Sequence, residues 1–306
     1  MIANTNSKGR PLVIGASGQV GSQFMRILEP AHAIGTSRHP QTSAELYLDL
    51  SLLAGQYPDA KRLLQETPAS VVYCLGGYTD VESCESDEDM AKLVNCEGPA
   101  TLAEAAADYG IPFVFFSSEY VFNGKSGPYT EDAAPDPISA YGRTKFLGEL
   151  AVAKSHPQAL IIRTTVVYGP DNGAKNFLYG LRRALRSGQP FQVASDQFST
   201  PTYNVDLVKA VVSLVVAGKT GIVHVSGPER LSRLDFALQA ARLMGFETER
   251  IIGAPTALLG QRAPRPLHGG LQTDKLRQTC PGVQMRKTDE CIRHWLATAG
   301  FEDEKI

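Results

Sequence analysis

Cysteine is scarce and unpaired in this chain. The five residues, Cys74, Cys84, Cys96, Cys280 and Cys291, are odd in number and form no Cys-x-x-Cys pair. That pattern argues against a disulfide framework and for reduced thiols in a cytoplasmic protein. Histidine is sparse too: the six residues lack ligand spacing, so no metal site is expected. Charge of one sign is also missing, since 30 Lys and Arg stand against 32 Asp and Glu for a net charge of -2. The basic residues are scattered, without the stripe and interleaved aromatics of a nucleic-acid binder, which excludes nucleic acid as a partner. Residues 1–11 are polar, and the apolar run that follows is too short for a secretion signal or a membrane span. No membrane partner is expected. Internal repeats and low-complexity tracts are absent.

What is present fits a soluble globular protein with a sizeable core. The chain has 306 residues, 43% hydrophobic and 20% charged. Short apolar runs of buried-strand type recur at Leu12-Val13-Ile14, Ala33-Ile34-Gly35, Val71-Val72-Tyr73-Cys74, Phe113-Val114-Phe115-Phe116 and Leu160-Ile161-Ile162. Amphipathic or alanine-rich stretches separate several of them, notably residues 20–28 and 89–109. Such alternation predicts an α/β fold, a parallel sheet covered on both faces. After Gly169-Pro170 the pattern is less regular, until a strongly apolar helix over residues 204–216 and a strand over 221–225. The expected division is a doubly wound (Rossmann) domain from 1–170 plus 204–227, and a smaller substrate-binding lobe from 171–203 plus 228–306.

The first strand runs into Gly15-Ala16-Ser17-Gly18-Gln19-Val20-Gly21, and a helix follows. Glycines at this spacing permit a tight turn, a close backbone approach to a pyrophosphate and close packing of the helix, whose N-terminus supplies amide donors. Gly15, Ser17, Gly18, Gln19, Val20 and Gly21 are therefore candidate dinucleotide contacts, with Gly76 beyond the third long apolar run. At the end of the second strand an acidic residue would favour the free ribose of NAD. The chain has none there; it reads Thr36-Ser37-Arg38-His39. Ser37 and Arg38 suit a 2'-phosphate through charge-assisted hydrogen bonds, so NADP(H) is preferred and NAD(H) possible. Asp49 and Leu50 are candidates to border the adenine.

Ser117 and Ser118 stand where the run Phe113 to Phe116 ends, and ligands of parallel sheets sit outside the carboxyl ends of the strands. Downstream, Tyr141-Gly142-Arg143-Thr144-Lys145 puts a phenol and an ammonium four residues apart, on one face if the segment is helical. A nearby positive charge is expected to bring the phenol down from its usual value of about 10 toward neutrality, making it a usable acid. Together with the glycine turn, this set implies hydride chemistry, with Tyr141, Lys145 and a hydroxyl of Ser117 or Ser118 as candidate catalytic groups.

Through these features the chain resembles the extended short-chain dehydrogenase/reductase superfamily over nearly its whole length. Within it the chain is most similar to the dTDP-4-dehydrorhamnose reductase family. The narrower likeness is carried by Gly18-Gln19-Val20-Gly21, Tyr78-Thr79-Asp80-Val81-Glu82, Phe116-Ser117-Ser118-Glu119-Tyr120-Val121-Phe122-Asn123-Gly124, Arg163-Thr164-Thr165-Val166-Val167-Tyr168-Gly169, Asn176-Phe177, Asp196-Gln197, Pro201-Thr202 and Arg265-Pro266. The resemblance implies that Tyr141 protonates the C4 oxygen of a nucleotide-linked 4-keto sugar as NADPH gives hydride, that Lys145 also holds the nicotinamide ribose, and that Ser118 aligns the carbonyl. It implies Val81, Ser118, Glu119, Tyr120 and Val166 around the sugar, Asn176 and Arg265 at the diphosphate end, and a homodimer as a possible assembly. The chain departs from the family in three places: Val166 stands where an aromatic residue is frequent, and Glu119 and Asn123 stand where aspartates are. Two other functions share many of these motifs. One is an epimerase or dehydratase of nucleotide sugars, against which Arg38 counts; the other is a non-catalytic NADP-binding subunit resembling the regulatory subunit of methionine adenosyltransferase.

Overall fold

A computed structural model describes residues 9–29, 32–40 and 45–298. Most of the polar segment 1–11, and the last residues assigned to the second lobe, 299–306, lie outside the described residues.

The central element is a seven-stranded sheet of β1 (Arg10–Ile14), β2 (Ile34–Ser37), β3 (Glu45–Tyr47), β4 (Ala69–Cys74), β5 (Phe113–Ser118), β6 (Leu160–Thr164) and β7 (Gly221–His224). Every pairing is parallel, and the spatial order is β7-β6-β5-β4-β1-β2-β3. The order reverses at β1 and β4, which opens a crevice at the carboxyl ends of those strands. Continuous apolar strand sequences follow from burial on both faces. Leu12, Ile14, Val72, Cys74, Phe113 and Phe115 point to one layer with Leu64, Leu102 and Ala106 from the helices Tyr57–Glu66 and Gly98–Asp108. Val13, Val71, Tyr73, Val114 and Phe116 point to the other, against Phe24 of the helix Gln19–Ile27 and Leu207, Val211 and Leu214 of the helix Asn204–Val216. Each such large side chain, taken wholly out of water, contributes roughly 1.5 to 3 kcal/mol.

The long helix expected over residues 89–109 is not regular. It runs as Glu88–Lys92, then a widened π-helical turn at Leu93–Glu97, then Gly98–Asp108. The extra residue turns Asn95 fully inward, where its side-chain oxygen accepts the Tyr78 amide (2.9 Å). Its side-chain nitrogen donates to the Tyr78 carbonyl (3.0 Å) and to Thr144 Oγ1 (3.2 Å). The loop beyond β4 is thereby tied to the helix that carries Tyr141.

A further core joins Tyr168, Leu178, Leu181, Tyr203, Phe236, Ile292 and Trp295. The strand Phe191–Ala194 pairs with Ile251–Ala254 beside it. Not every residue of the expected second lobe packs there: Leu276 and Cys280 join the sheet layer of Val114 and Leu207 instead. No described helix is long and apolar enough to cross a membrane.

Candidate active site

A cavity of about 550 Å³ lies along the carboxyl ends of β1, β2, β4, β5 and β6. One end is the glycine turn. Gly15 adopts φ +84°, and a Cβ there would sit 2.9 Å from the Gly76 amide nitrogen; a Cβ on Gly21 would come within 2.1 Å of the Gly15 carbonyl oxygen. Side chains at either position would close the turn. Gly18 caps the helix Gln19–Ile27 without a side-chain hydrogen bond, so the first amides of that helix are left for a ligand. Ser17 and Ser37 share a hydroxyl hydrogen bond of 2.8 Å, and Ser37 Oγ accepts the His39 amide (3.0 Å). Arg38 is exposed beside them at the cavity edge. Asp49, the carboxylate bordering this end, accepts from the Ser51 amide (2.9 Å) and hydroxyl (2.7 Å) as a helix cap. A cradle of backbone amides with Arg38 at its edge fits a phosphorylated dinucleotide.

The other end holds Ser118, Tyr141 and Lys145. Ser118 is the last residue of β5, and its hydroxyl accepts the Tyr120 amide at 3.2 Å. Tyr141 is the second residue of the helix Ala140–Ser155, whose capping residue Ser139 accepts the Gly142 amide (3.2 Å) while Glu85 accepts the Ala140 amide (2.9 Å). Capping at both points fixes the direction in which the helix begins, and with it the phenol. Tyr141 meets Tyr120 edge to face, ring centroids 5.4 Å apart, and lies near enough to Ser118 for that hydroxyl to act on the phenol's acidity. Lys145, one turn on and 4% exposed, places its Nζ 4.2 Å from the centre of the Phe115 ring.

Residues 10–299 match the family described as RmlD substrate binding domain. The chain belongs to this family. It is 33% identical over 292 residues to a dTDP-4-keto-6-deoxy-D-glucose reductase of Streptomyces niveus, covering 94% of this chain and 93% of that protein. It is 32% identical over 303 residues to a dTDP-4-dehydrorhamnose reductase of Mycobacterium tuberculosis, covering 95% and 92%. Among solved structures it is similar to a dTDP-4-dehydrorhamnose reductase of Bacillus anthracis in complex with NADP, with a TM-score of 0.84, 27% identity and coverage of 95% and 99%.

In this RmlD-family chain the electrostatics depart from the sequence expectation. Burial raises the Tyr141 phenol above its ordinary value; the Ser118 hydroxyl opposes this, and Tyr120, Cys84 and Glu119 reinforce it. Lys145 is not among the main influences on the phenol, so the expected drop toward neutrality does not occur. Lys145 is itself brought down to about 8, chiefly by burial, with Cys74 and Glu149 pulling the other way. At neutral pH the site therefore holds a protonated phenol beside a lysine that is still mostly charged.

The cavity gathers Gly15, Ser17, Gly18, Gln19, Val20, Gly21, Ser37, Arg38, Asp49, Leu50 and Gly76 with Ser118, Tyr141 and Lys145. Val81, Tyr120 and Val166 line it too. Three sequence candidates do not. Glu119 is 5% exposed and its carboxylate turns inward, accepting the Thr165 hydroxyl and, at 2.6 Å, the Gly270 amide. Asn176 caps the helix Phe177–Arg186, accepting the Leu178 amide (3.2 Å) and donating to the Gly169 carbonyl (2.9 Å). Arg265 is paired with Glu82 at 2.7 Å. Conversely, Tyr78, Thr165 and Arg233 line the cavity although the sequence assigns none of them a role. Tyr78 and Thr165 lie in stretches that carry the family likeness. Arg233 has no local signal, because it arrives from a distant part of the chain.

Proposed function

We propose that this chain is an NADPH-dependent reductase of the C4 ketone of a dTDP-linked 4-keto-6-deoxy sugar. The observation that carries this reading is the meeting of Ser118, Tyr141 and Lys145 in one cavity with a glycine cradle edged by Arg38. The reductase names of relatives above 30% identity supply the substrate class.

The chemistry follows from the side chains. Ser118 and Tyr141 both donate to the carbonyl oxygen, drawing electron density away from C4. Tyr141 enters the reaction with its proton in place, since burial favours the neutral phenol, and gives that proton to the developing alkoxide. Lys145, which is not among the main influences on the phenol, brings a mostly charged ammonium to the same buried site. Tyr120, Val81 and Val166 shield this end from water, which strengthens each of those interactions. Gly15, Ser17 to Gly21, Ser37 and Arg38 would hold NADPH, which when bound supplies the hydride; Lys145 would also hold its nicotinamide ribose.

The test is NADPH consumption by the purified chain against dTDP-, GDP- and UDP-linked 4-keto sugars. Stoichiometric NADPH oxidation with a dTDP-4-keto-6-deoxy sugar is the expected result. Conversion of nucleotide sugar without net cofactor change would replace this reading with epimerase or dehydratase chemistry.

A further inference from the structure

Arg233 is a cation that the fold brings into the cavity and that pairs with no described carboxylate. It opens the helix Arg233–Leu243, fixed there by its own amide, which donates to the Gln197 carbonyl at 2.9 Å. Its guanidinium lies against the Phe177 ring, 5.2 Å from the centroid, and is half-buried. The acids around it are already engaged. Asp235 accepts the Ser232 hydroxyl at 2.6 Å, and both oxygens of Glu119 are taken by Thr165 and Gly270. The neighbouring arginines are used as well: Arg230 donates to the Gly269 carbonyl at 3.0 Å and lies over Phe198, while Arg265 holds Glu82. Among the described residues, Arg233 has no acidic side chain at ion-pairing distance.

A guanidinium drawn partly out of water, with no described carboxylate at ion-pairing distance, is a site for an anion brought by a ligand. The cavity's other two strong cations have places elsewhere: Arg38 borders the glycine cradle and Lys145 lies against Phe115 beneath the reactive group. Arg233 lines the same cavity as Tyr120 and Val166, which bound the proposed sugar end. We propose that Arg233 binds the diphosphate of the nucleotide-linked sugar and so makes the site selective for diphosphate esters over monophosphates and free sugars. Two parallel N–H donors of a guanidinium match two phosphate oxygens, and the contact with the Phe177 ring restrains the group before the ligand arrives. This inference rests on the nucleotide-sugar reading above.

The test uses the full chain saturated with NADPH, titrated calorimetrically with dTDP, dTMP and thymidine. Arg233→Met keeps an unbranched side chain of similar reach and removes the charge. It should weaken dTDP binding by about 10- to 100-fold and leave thymidine within about twofold, with Arg233→Lys recovering part of the loss. In turnover the loss should fall on KM more than on kcat. A dTDP affinity and a KM both within about twofold of the parent would overturn the proposal, as would an equal loss for thymidine. If no keto sugar consumes NADPH yet dTDP binding still depends on Arg233, the anion site stands and the reductase reading falls. Normal reduction by an Arg233→Met variant with unchanged dTDP binding would instead uphold the reductase and remove the anion site.

Discussion

Thr165 donates its hydroxyl to the buried carboxylate of Glu119, whose second oxygen takes the Gly270 amide at 2.6 Å. Three separate segments meet at this one side chain: the turn after Ser118, the stretch leading to Val166, and the loop 268–271. Glu119 follows the proposed catalytic serine directly, yet it acts inward as a brace.

Removing this brace should be costly, and neutralising it should not. Glu119→Ala leaves a buried hydroxyl and a buried amide without partners, at about 1 to 3 kcal/mol each. Glu119→Gln can still accept from Gly270 and donate to Thr165. Burial also raises the Glu119 carboxyl from its ordinary 4.5, outweighing the Thr165 and Gly270 hydrogen bonds and the attraction of Arg233 and Arg230. A raised folded-state pKa gives stability that is full below the unfolded value and is lost as pH rises through the folded one. Thermal melts should therefore show a large drop for Glu119→Ala and a small one for Glu119→Gln. The gap between parent and Gln variant should narrow, or reverse, from acid toward neutral pH. Equal melting temperatures for the Ala variant and the parent would remove the brace.

Such a brace is invisible in sequence because its partners are far apart along the chain, and a carboxylate beside a strand-end serine looks like a ligand. The same distance hid Arg233. Local features were legible: the glycine turn, Ser118 and Tyr141-x-x-x-Lys145 each sit within one strand-turn or helix-turn unit, where spacing fixes geometry. Strands buried on both faces, such as Phe113–Ser118, announce themselves as apolar runs. The edge strand Glu45–Tyr47 does not, with Tyr47 60% exposed. Nor does the π-helical turn at Asn95, since one extra residue in a helix leaves no periodicity of its own to read.

Tyr141→Phe should retain NADPH affinity and lose about 10²- to 10⁴-fold in turnover, the usual range for removing a general acid. Lys145 adds a pH dependence. Its folded-state pKa is lowered to about 8, so the ammonium is lost as pH rises through that value, and turnover should fall there. For stability the sign is opposite: a depressed lysine contributes stability above its unfolded value and loses it as pH falls through about 8. Lys145→Met should therefore raise the melting temperature at pH 7, by the equivalent of about 1 to 3 kcal/mol, while abolishing turnover. A destabilised Met variant would show that the charge is not strained by burial.

Arg38→Ala should raise KM for NADPH by about 10- to 100-fold and leave NADH nearly unchanged, because only the former carries the 2'-phosphate that a guanidinium grips. Parallel losses for both cofactors, measured by initial rates at fixed sugar, would mean that Arg38 reads something other than the phosphate.

Val166 adopts φ +40°, left-handed backbone that a β-branched side chain rarely takes, and it does so on the cavity wall while packing against the core of Tyr168 and Phe236. Strain of this kind costs on the order of 1 to 3 kcal/mol and persists where the surrounding structure enforces it. Val166→Gly relieves the backbone but loses the packed side chain and gains unfolded-state entropy, at about 0.5 to 1 kcal/mol for the entropy alone. Its melting temperature should stay close to the parent's, where the same change at an unstrained buried valine would lower it clearly. Selectivity should respond more strongly. Under the proposed function, valine would offer the sugar a smaller contact face than an aromatic residue, and such a face is worth about 1 to 3 kcal/mol in discrimination. Val166→Trp should then sharpen preference for dTDP-4-dehydrorhamnose over other 4-keto-6-deoxy hexoses by about tenfold or more in kcat/KM. An unchanged ratio across the sugar panel, with turnover intact, would place sugar selection elsewhere on the cavity wall.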